Sequence, residues 1–247
     1  ADERWKIDLT PAEQRQLAVL WGKSGTDRWT KVRTEPTLLV QHLLDTLAVG
    51  ELLWDEFLAP AVQDALDLVA AGDGRRFFSW LCGIHDLGKA SPAFQSQDDE
   101  LARAVADAGL RMSAPRGTAQ KWRHERASGL ILLEHLGMTW VREESTAWVW
   151  PLAAGHHGQF PSKTSIAQLS LANRARERRR MHGAPQDWGK AQVALLHAVT
   201  TAAGFASLAE AEPAIDPSRA TQLALSGYIV MADWIASNGE STTPVPA

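Results

Sequence analysis

Apolar residues recur along the chain at spacings of three and four, and no stretch alternates with a period of two, so the pattern predicts helices throughout. Thr10-Pro11-Ala12-Glu13 combines a side-chain cap, a proline for the first turn and a capping-box glutamate. It predicts a helix that starts there and runs into 16–21. Pro36 is expected to open a second helix, with Leu39, Leu43, Leu44 and Leu47 on one side and His42 among them. Further helices are expected over 51–58, 60–71, 74–86 and 98–110, then from His124 to Leu136 with Gly137 as the stop, and over 191–211. Asp216-Pro217 is expected to start the last one. Ala114-Pro115-Arg116-Gly117 reads as a mobile loop, and Gly155-His156-His157-Gly158 as a bent backbone presenting two imidazoles. The fold class that follows is all-α, a compact multi-helix bundle.

Composition narrows this picture only a little. In 247 residues, 45% are apolar, enough for one large core, so a single domain over 1–240 is expected, with 241–247 as a linker-like tail. That tail and the absence of an initiating Met suggest a domain excised from a longer chain. A net charge of -4 gives no general basic field, so any contact with nucleic acid has to come from local patches. The dense basic run is Arg174–Arg180, with Arg116, Lys121 and Arg123 as lesser candidates for strand contact; a solvated face is the competing reading. One cysteine, Cys82, excludes a disulfide framework and a thiolate zinc cluster and suits a reducing cytosol. No membrane span or signal-peptide pattern is present, and a cytoplasmic location is expected. Most of the eleven tryptophans, Trp54, Trp80, Trp148 and Trp234 among them, fall in apolar helical contexts and are expected in the core rather than stacked on bases.

Two motifs invite a chemical reading. Gly22-Lys23-Ser24 looks like the end of a phosphate-binding loop, but Leu17 stands where that loop needs its first glycine, and a helix is expected where a strand should precede it. A nucleotide P-loop is excluded. The second is Ile84-His85-Asp86-Leu87-Gly88-Lys89, an adjacent His-Asp pair at the end of an apolar run, followed by a glycine that would stop the helix. Five of the eight histidines, His42, His85, His124, His156 and His157, stand at predicted helix ends, at glycine-flanked turns or beside carboxylates; His135, His182 and His197 are read as ordinary core or surface residues. With Asp86 and Asp233 they form a set of imidazoles and carboxylates suited to first-row divalent ions.

The order of these stretches resembles the HD metal-dependent hydrolase superfamily. Within it, the chain is similar to the HD nuclease domain of the CRISPR-associated type I interference helicase-nuclease. The resemblance rests on Leu20-Trp21-Gly22-Lys23-Ser24, His42-Leu43-Leu44-Asp45-Thr46, Leu53-Trp54, His85 to Ala90 with Phe94-Gln95, Arg123-His124-Glu125, Gly155 to Gly158 and Ser226 to Ile235. The glycine before Lys23 departs from the family's more usual alanine, and no helicase motif is present. The resemblance implies that His42, His85, Asp86 and Asp233 hold one metal, that His124, His156 and His157 hold a second, and that Asp86 bridges them. It further implies two divalent transition-metal ions, iron, manganese, cobalt or nickel first, with zinc or magnesium also admissible. Two cations roughly 3.5–4 Å apart can lower the pKa of a water between them and neutralise charge developing on a phosphodiester. The expected function is therefore a metal-dependent nuclease cutting single-stranded DNA, partnered by an RNA-guided surveillance complex and a C-terminal helicase. An HD phosphohydrolase acting on nucleotides or cyclic nucleotides is the alternative enzyme, and a catalytically silent helical module is the alternative outside catalysis. Lys89, one helical turn beyond His85, is either a cation for the reaction, and so catalytic together with Asp86, or a surface lysine. Asp45 either orients His42 or is solvated.

Overall fold

The computed structural model describes residues 9–25 and 34–238. The linker-like tail 241–247 and the N-terminal segment read for a signal peptide lie outside the described residues. Twelve α-helices among the described residues carry the fold: α1 (Pro11–Leu17), α2 (Leu39–Glu56), α3 (Pro60–Val69), α4 (Gly74–Gly83), α5 (Pro92–Gln95), α6 (Asp99–Asp107), α7 (His124–Thr139), α8 (Glu143–Ala154), α9 (Lys163–Ala167), α10 (Ala175–Met181), α11 (Lys190–Ala202) and α12 (Arg219–Ser237). The all-α class holds. No described helix is long and apolar enough to cross a membrane.

The capping box at Thr10 forms as expected: the hydroxyl accepts from the Glu13 N–H, and Glu13 accepts from the Thr10 N–H at 2.8 Å. The helix it starts is shorter than the sequence implied. It ends at Leu17, and Trp21–Lys23 (β1) instead pairs antiparallel with Thr37–Leu38 (β2), with a register irregularity between Trp21 and Lys23. Strands this short show no period. Their pairing is secured from outside, because the buried Gln95 amide donates to Trp21 O at 2.8 Å and to Lys89 O at 3.0 Å. Pro36 accordingly precedes β2, and the second helix opens at Leu39.

Other boundaries moved for identifiable reasons. Gly50 does not break α2, so 39–56 is one helix. A Cβ at Gly50 would stand 3.1 Å from Cys82 Cβ and Sγ and from Ser79 Cα, so the glycine admits the close approach of α4. Gly137 does not stop α7, which runs two residues further. The helix expected over 191–211 ends at Ala202, where Gly204 takes a left-handed φ of +91° and turns the chain. The last helix starts at Arg219, capped by Ser218, whose hydroxyl accepts from the Thr221 N–H; Asp216 pairs instead with Arg142 at 3.0 Å. The 74–86 helix ends at Gly83, and Leu87–Lys89 forms a 3-10 turn. Helix α8, with Pro151 inside it, was not expected from the pattern.

The core forms between α2, α4, α7, α8, α11 and α12, with Trp80 and Trp188 fully buried. Of the nine tryptophans among the described residues, eight are buried. Trp234 is the exception at 73% exposed, which corrects its placement in the core. At the loop 114–117, Arg116 pairs with Asp99 at 2.7 Å on the surface, and Pro115 O accepts from the Thr118 hydroxyl. Arg178, within the basic run, is bound to Glu134 at 2.6 Å, so one guanidinium proposed for a strand is already committed.

His182 lies buried against Trp122, with no hydrogen-bond partner recorded for Nδ1 among the described residues. Burial, helped by the Arg178 charge, pushes its pKa from 6.5 down to about 3. The unfolded chain therefore binds an extra proton once the pH falls below about 6.5, and stability declines from there toward pH 3. Wild type is expected to lose about 2 kcal/mol from this residue between pH 7 and pH 5. Urea denaturation of His182→Leu at both pH values checks this: its drop should be smaller than wild type's by that amount, and equal drops would refute it.

Candidate metal centre

Five elements converge on one point. His42 lies on α2, His85 and Asp86 just past the end of α4, His124 is the first residue of α7, His156 and His157 follow α8, and Asp233 sits near the end of α12. All seven sequence candidates are thus brought together. His42, His85, Asp86 and Asp233 offer ligand atoms within 4.8 Å of one another, and so do His124, His156 and His157.

The histidines at the two helix ends are aimed by the same device. The last carbonyls of a helix have no partner within it. His85 Nδ1 donates to Cys82 O at 2.8 Å, and His156 Nδ1 donates to Ala153 O at 2.6 Å. With a proton held on Nδ1, Nε2 is the nitrogen each ring turns to the centre, the one that would bind a metal. Neither Nε2 has a hydrogen-bond partner recorded among the described residues, and the same is true of Asp86 Oδ1. Three buried polar atoms without a hydrogen bond around one point are costly in a protein alone and fit divalent cations.

Asp86 lies between the two groups. Its Oδ2 is 3.0 Å from His42 Nε2, 3.3 Å from His85 Nε2 and 2.6 Å from Lys89 Nζ. Its Oδ1 faces the other way, 3.3 Å from both His124 Nε2 and His156 Nε2. His157 Nε2 is 3.0 Å from His124 Nε2, and Asp233 Oδ1 is 3.5 Å from both His42 and His85. Each oxygen of one carboxylate therefore belongs to a different cluster.

The electrostatics keep the two carboxylates, His42 and His157 in ligand form. Burial disfavours the Asp86 carboxylate, but Lys89, His85 and His124 outweigh it and hold its pKa well below the usual carboxylate range. Asp233 is also lowered: burial opposes it, and the hydrogen bond and charge of His85 prevail. His42 is lowered by burial against the pull of Asp86, and His157 by burial and by His156, so both rings favour the neutral form. For His85, burial is outweighed by Asp86 and Asp233, and its pKa rises to about 9. A cation held here by His85 would take the place of that proton.

Lys89 is only 9% exposed, which removes the surface-lysine reading. Asp45 does not orient His42. It accepts from the Gln41 amide at 2.6 Å, and burial raises its pKa.

Two contributors were not singled out from the sequence. Buried Glu125 sits 3.7 Å from His124 Nδ1 and is paired with the Arg123 guanidinium. Gly88 lets the His-Asp turn lie directly on α7: its N–H donates to Ser128 Oγ at 2.8 Å, and a Cβ there would fall 2.0 Å from His124 O. A local feature that hints at this is Ser128, one turn into α7, a small residue whose hydroxyl can accept from an approaching backbone N–H.

Comparison with known proteins places this geometry. The family described as "Cas3, HD domain" matches residues 21–242. The CRISPR-associated nuclease/helicase Cas3 of Streptococcus thermophilus is 30% identical over 219 residues, covering 81% of this chain and 23% of that protein. The CRISPR-associated endonuclease/helicase Cas3 of Thermus thermophilus is 29% identical over 238 residues, 92% of this chain and 22% of that protein. The chain thus spans under a quarter of the length of these curated relatives. Among solved structures, a CRISPR-associated protein superposes with a TM-score of 0.74 at 27% identity, over 96% of this chain and 25% of that one. The Thermus thermophilus Cas3 HD domain determined in the presence of Ni2+ superposes with a TM-score of 0.58 over 91% of this chain and 79% of that domain; at 22% identity it speaks to the fold alone.

Proposed function

Because the chain belongs to the Cas3 HD-domain family, we propose that it is a nuclease domain that hydrolyses the phosphodiester bonds of single-stranded DNA at a centre of two divalent metals. The observation that carries this reading is the division of Asp86, with Oδ2 turned to His42 and His85 and Oδ1 to His124 and His156. A carboxylate can serve two cations at once; a neutral imidazole has one lone pair to give. His42, His85, Asp86 and Asp233 would hold the first ion, and Asp86, His124, His156 and His157 the second. Bound there, such ions would supply Lewis acidity to a phosphodiester and a water nucleophile available at neutral pH.

The chain's own residues do the rest. The Nδ1–H bonds of His85 and His156 to helix-end carbonyls hold the rings in one tautomer. Burial of His42, His85 and Asp86 keeps bulk water from the first cluster. His124 and His157 are more open, so the reacting phosphate reaches the centre from their side. Lys89 Nζ balances the Asp86 charge and stands as a further cation, beside the two metals, toward the phosphate that arrives. The donor set of imidazoles and carboxylates suits iron, manganese, cobalt or nickel, and also accepts zinc. The relatives are named nuclease/helicases, and one structural neighbour is a CRISPR RNA-guided surveillance complex in a pre-nicking state. This supports recruitment of the present domain by such a complex, with a helicase as its partner.

The test is direct. Protein stripped with chelator and reloaded with manganese, iron or nickel should bind two equivalents by elemental analysis and cut circular single-stranded DNA. Chelation should remove that cleavage by at least a hundredfold. Turnover of free nucleotides with the circle left intact would replace this reading with a nucleotide phosphohydrolase, and no stoichiometric metal would favour a silent module.

A further inference from the structure

Two depressions flank the exposed side of the metal centre. The larger, of about 510 Å³, is lined by Phe94, Gln97, Gln120, Arg123, His124 and His157. The smaller, of about 140 Å³, is lined by Arg126, Gln159 and Phe160 and shares Arg123 and Glu125 with the first. The shared residues show that the two depressions adjoin, and the larger reaches His124 and His157, the open part of the site; together they offer one trough. Arg123 and Arg126 are exposed and lie three residues apart where α7 begins, so their guanidiniums share one face. Glu125, the acidic residue lining the trough, is already paired with Arg123. At the far end, Phe160 is 51% exposed. Its Cδ1–Cε1 side rests on Gly155, where a Cβ would meet those atoms at 2.4 Å. The ring is thus held against the turn that carries His156 and His157, with about half of the residue's surface left to solvent. Cationic side chains that follow a backbone, an aromatic face and amides that can pair with base edges are the chemistry of a single-strand track.

We propose that this trough is the binding track for single-stranded DNA, in which Arg126 holds a backbone phosphate and Phe160 stacks on a base to one side of the bond that is cut. The assignment rests on the nuclease reading above and adds to it which residues position the strand. Arg126 and Phe160 are positioning residues; neither touches the proposed metal ligands through an ion pair or hydrogen bond in the structure.

The test uses the 247-residue chain with a fluorescein-labelled oligothymidylate. Binding is measured by anisotropy in EDTA, and cleavage after metal loading, beside hydrolysis of bis(p-nitrophenyl) phosphate, which is too small to span the trough. Phe160→Ala and Arg126→Ala should each weaken oligonucleotide binding about tenfold, and Phe160→Trp should restore it. Arg126→Ala should reduce the slope of log affinity against log salt by about 0.7, as for one lost phosphate, while Phe160→Ala leaves it unchanged. Cleavage of the oligonucleotide should fall at least five times more than that of the small ester. Unchanged oligonucleotide affinity in both variants, or parallel loss of both hydrolytic activities, would overturn the track. Binding that depends on these residues, without cleavage by the metal-loaded wild type, would support the track and overturn the nuclease reading instead.

Discussion

Asp86→Ala is expected to abolish DNA cleavage, on the order of a thousandfold or more, and to lower metal occupancy at both positions together. No other residue in the centre is placed to do this. Removing His42 or Asp233 takes a donor from one cluster, and removing His157 takes one from the other. Asp86 presents Oδ2 to the first cluster and Oδ1 to the second, so its loss costs each prospective ion a donor and half of a shared negative charge. It also leaves Lys89 buried without its partner at 2.6 Å, which destabilises the metal-free protein. Asp86→Asn separates the two effects. The amide keeps an oxygen for Lys89 but loses the charge, so folding should be better preserved while metal is still lost. Elemental analysis after reconstitution, beside a cleavage assay, reads both; normal occupancy with normal cleavage in either variant would remove Asp86 from the centre.

The second large effect is expected from Gly88→Ala. The added Cβ would fall 2.0 Å from His124 O, 2.4 Å from Ser128 N and 2.8 Å from Ala127 C, all of them backbone atoms that no rotamer change can move. Either the 3-10 turn lifts off α7 or α7 shifts away, and overpacking of this kind costs about 3 kcal/mol. The turn begins at Asp86 and α7 begins at His124, so the same displacement pulls the two ligand clusters apart. The variant should show a lowered urea midpoint and reduced metal content even in the fraction that stays folded. Wild-type stability with full metal loading would show that the close approach at Gly88 is unnecessary.

Gly88 also shows how far local sequence can be read. It looks like a helix stop beside a His-Asp pair, yet the helix has already ended at Gly83, and Gly88 serves the contact with a segment forty residues away. Gly50 and Gly137 mislead in the same manner. One sits in a helix because another helix presses on it, and the other is simply tolerated at about 1 kcal/mol relative to alanine. Gly204, by contrast, acts through its own left-handed backbone, and it ends the helix that the apolar pattern alone would have extended. The strand pair at Trp21–Lys23 and Thr37–Leu38 escaped notice because two or three residues cannot display a period, and its anchor is the distant Gln95.

What the sequence determined by itself was the donor chemistry and the class of fold. Imidazoles and carboxylates are fixed by residue type, and helical spacing repeats often enough to be read without knowing its neighbours. The rest depended on contacts distant in sequence. Only the packed chain decides that Asp86 faces both clusters, that Lys89 is an interior cation, that Trp234 stands in solvent and that Phe160 lies over Gly155 beside two arginines. Such contacts form when helices remote in the chain are pressed together, and a residue's exposure is a property of that packing, which no local pattern encodes.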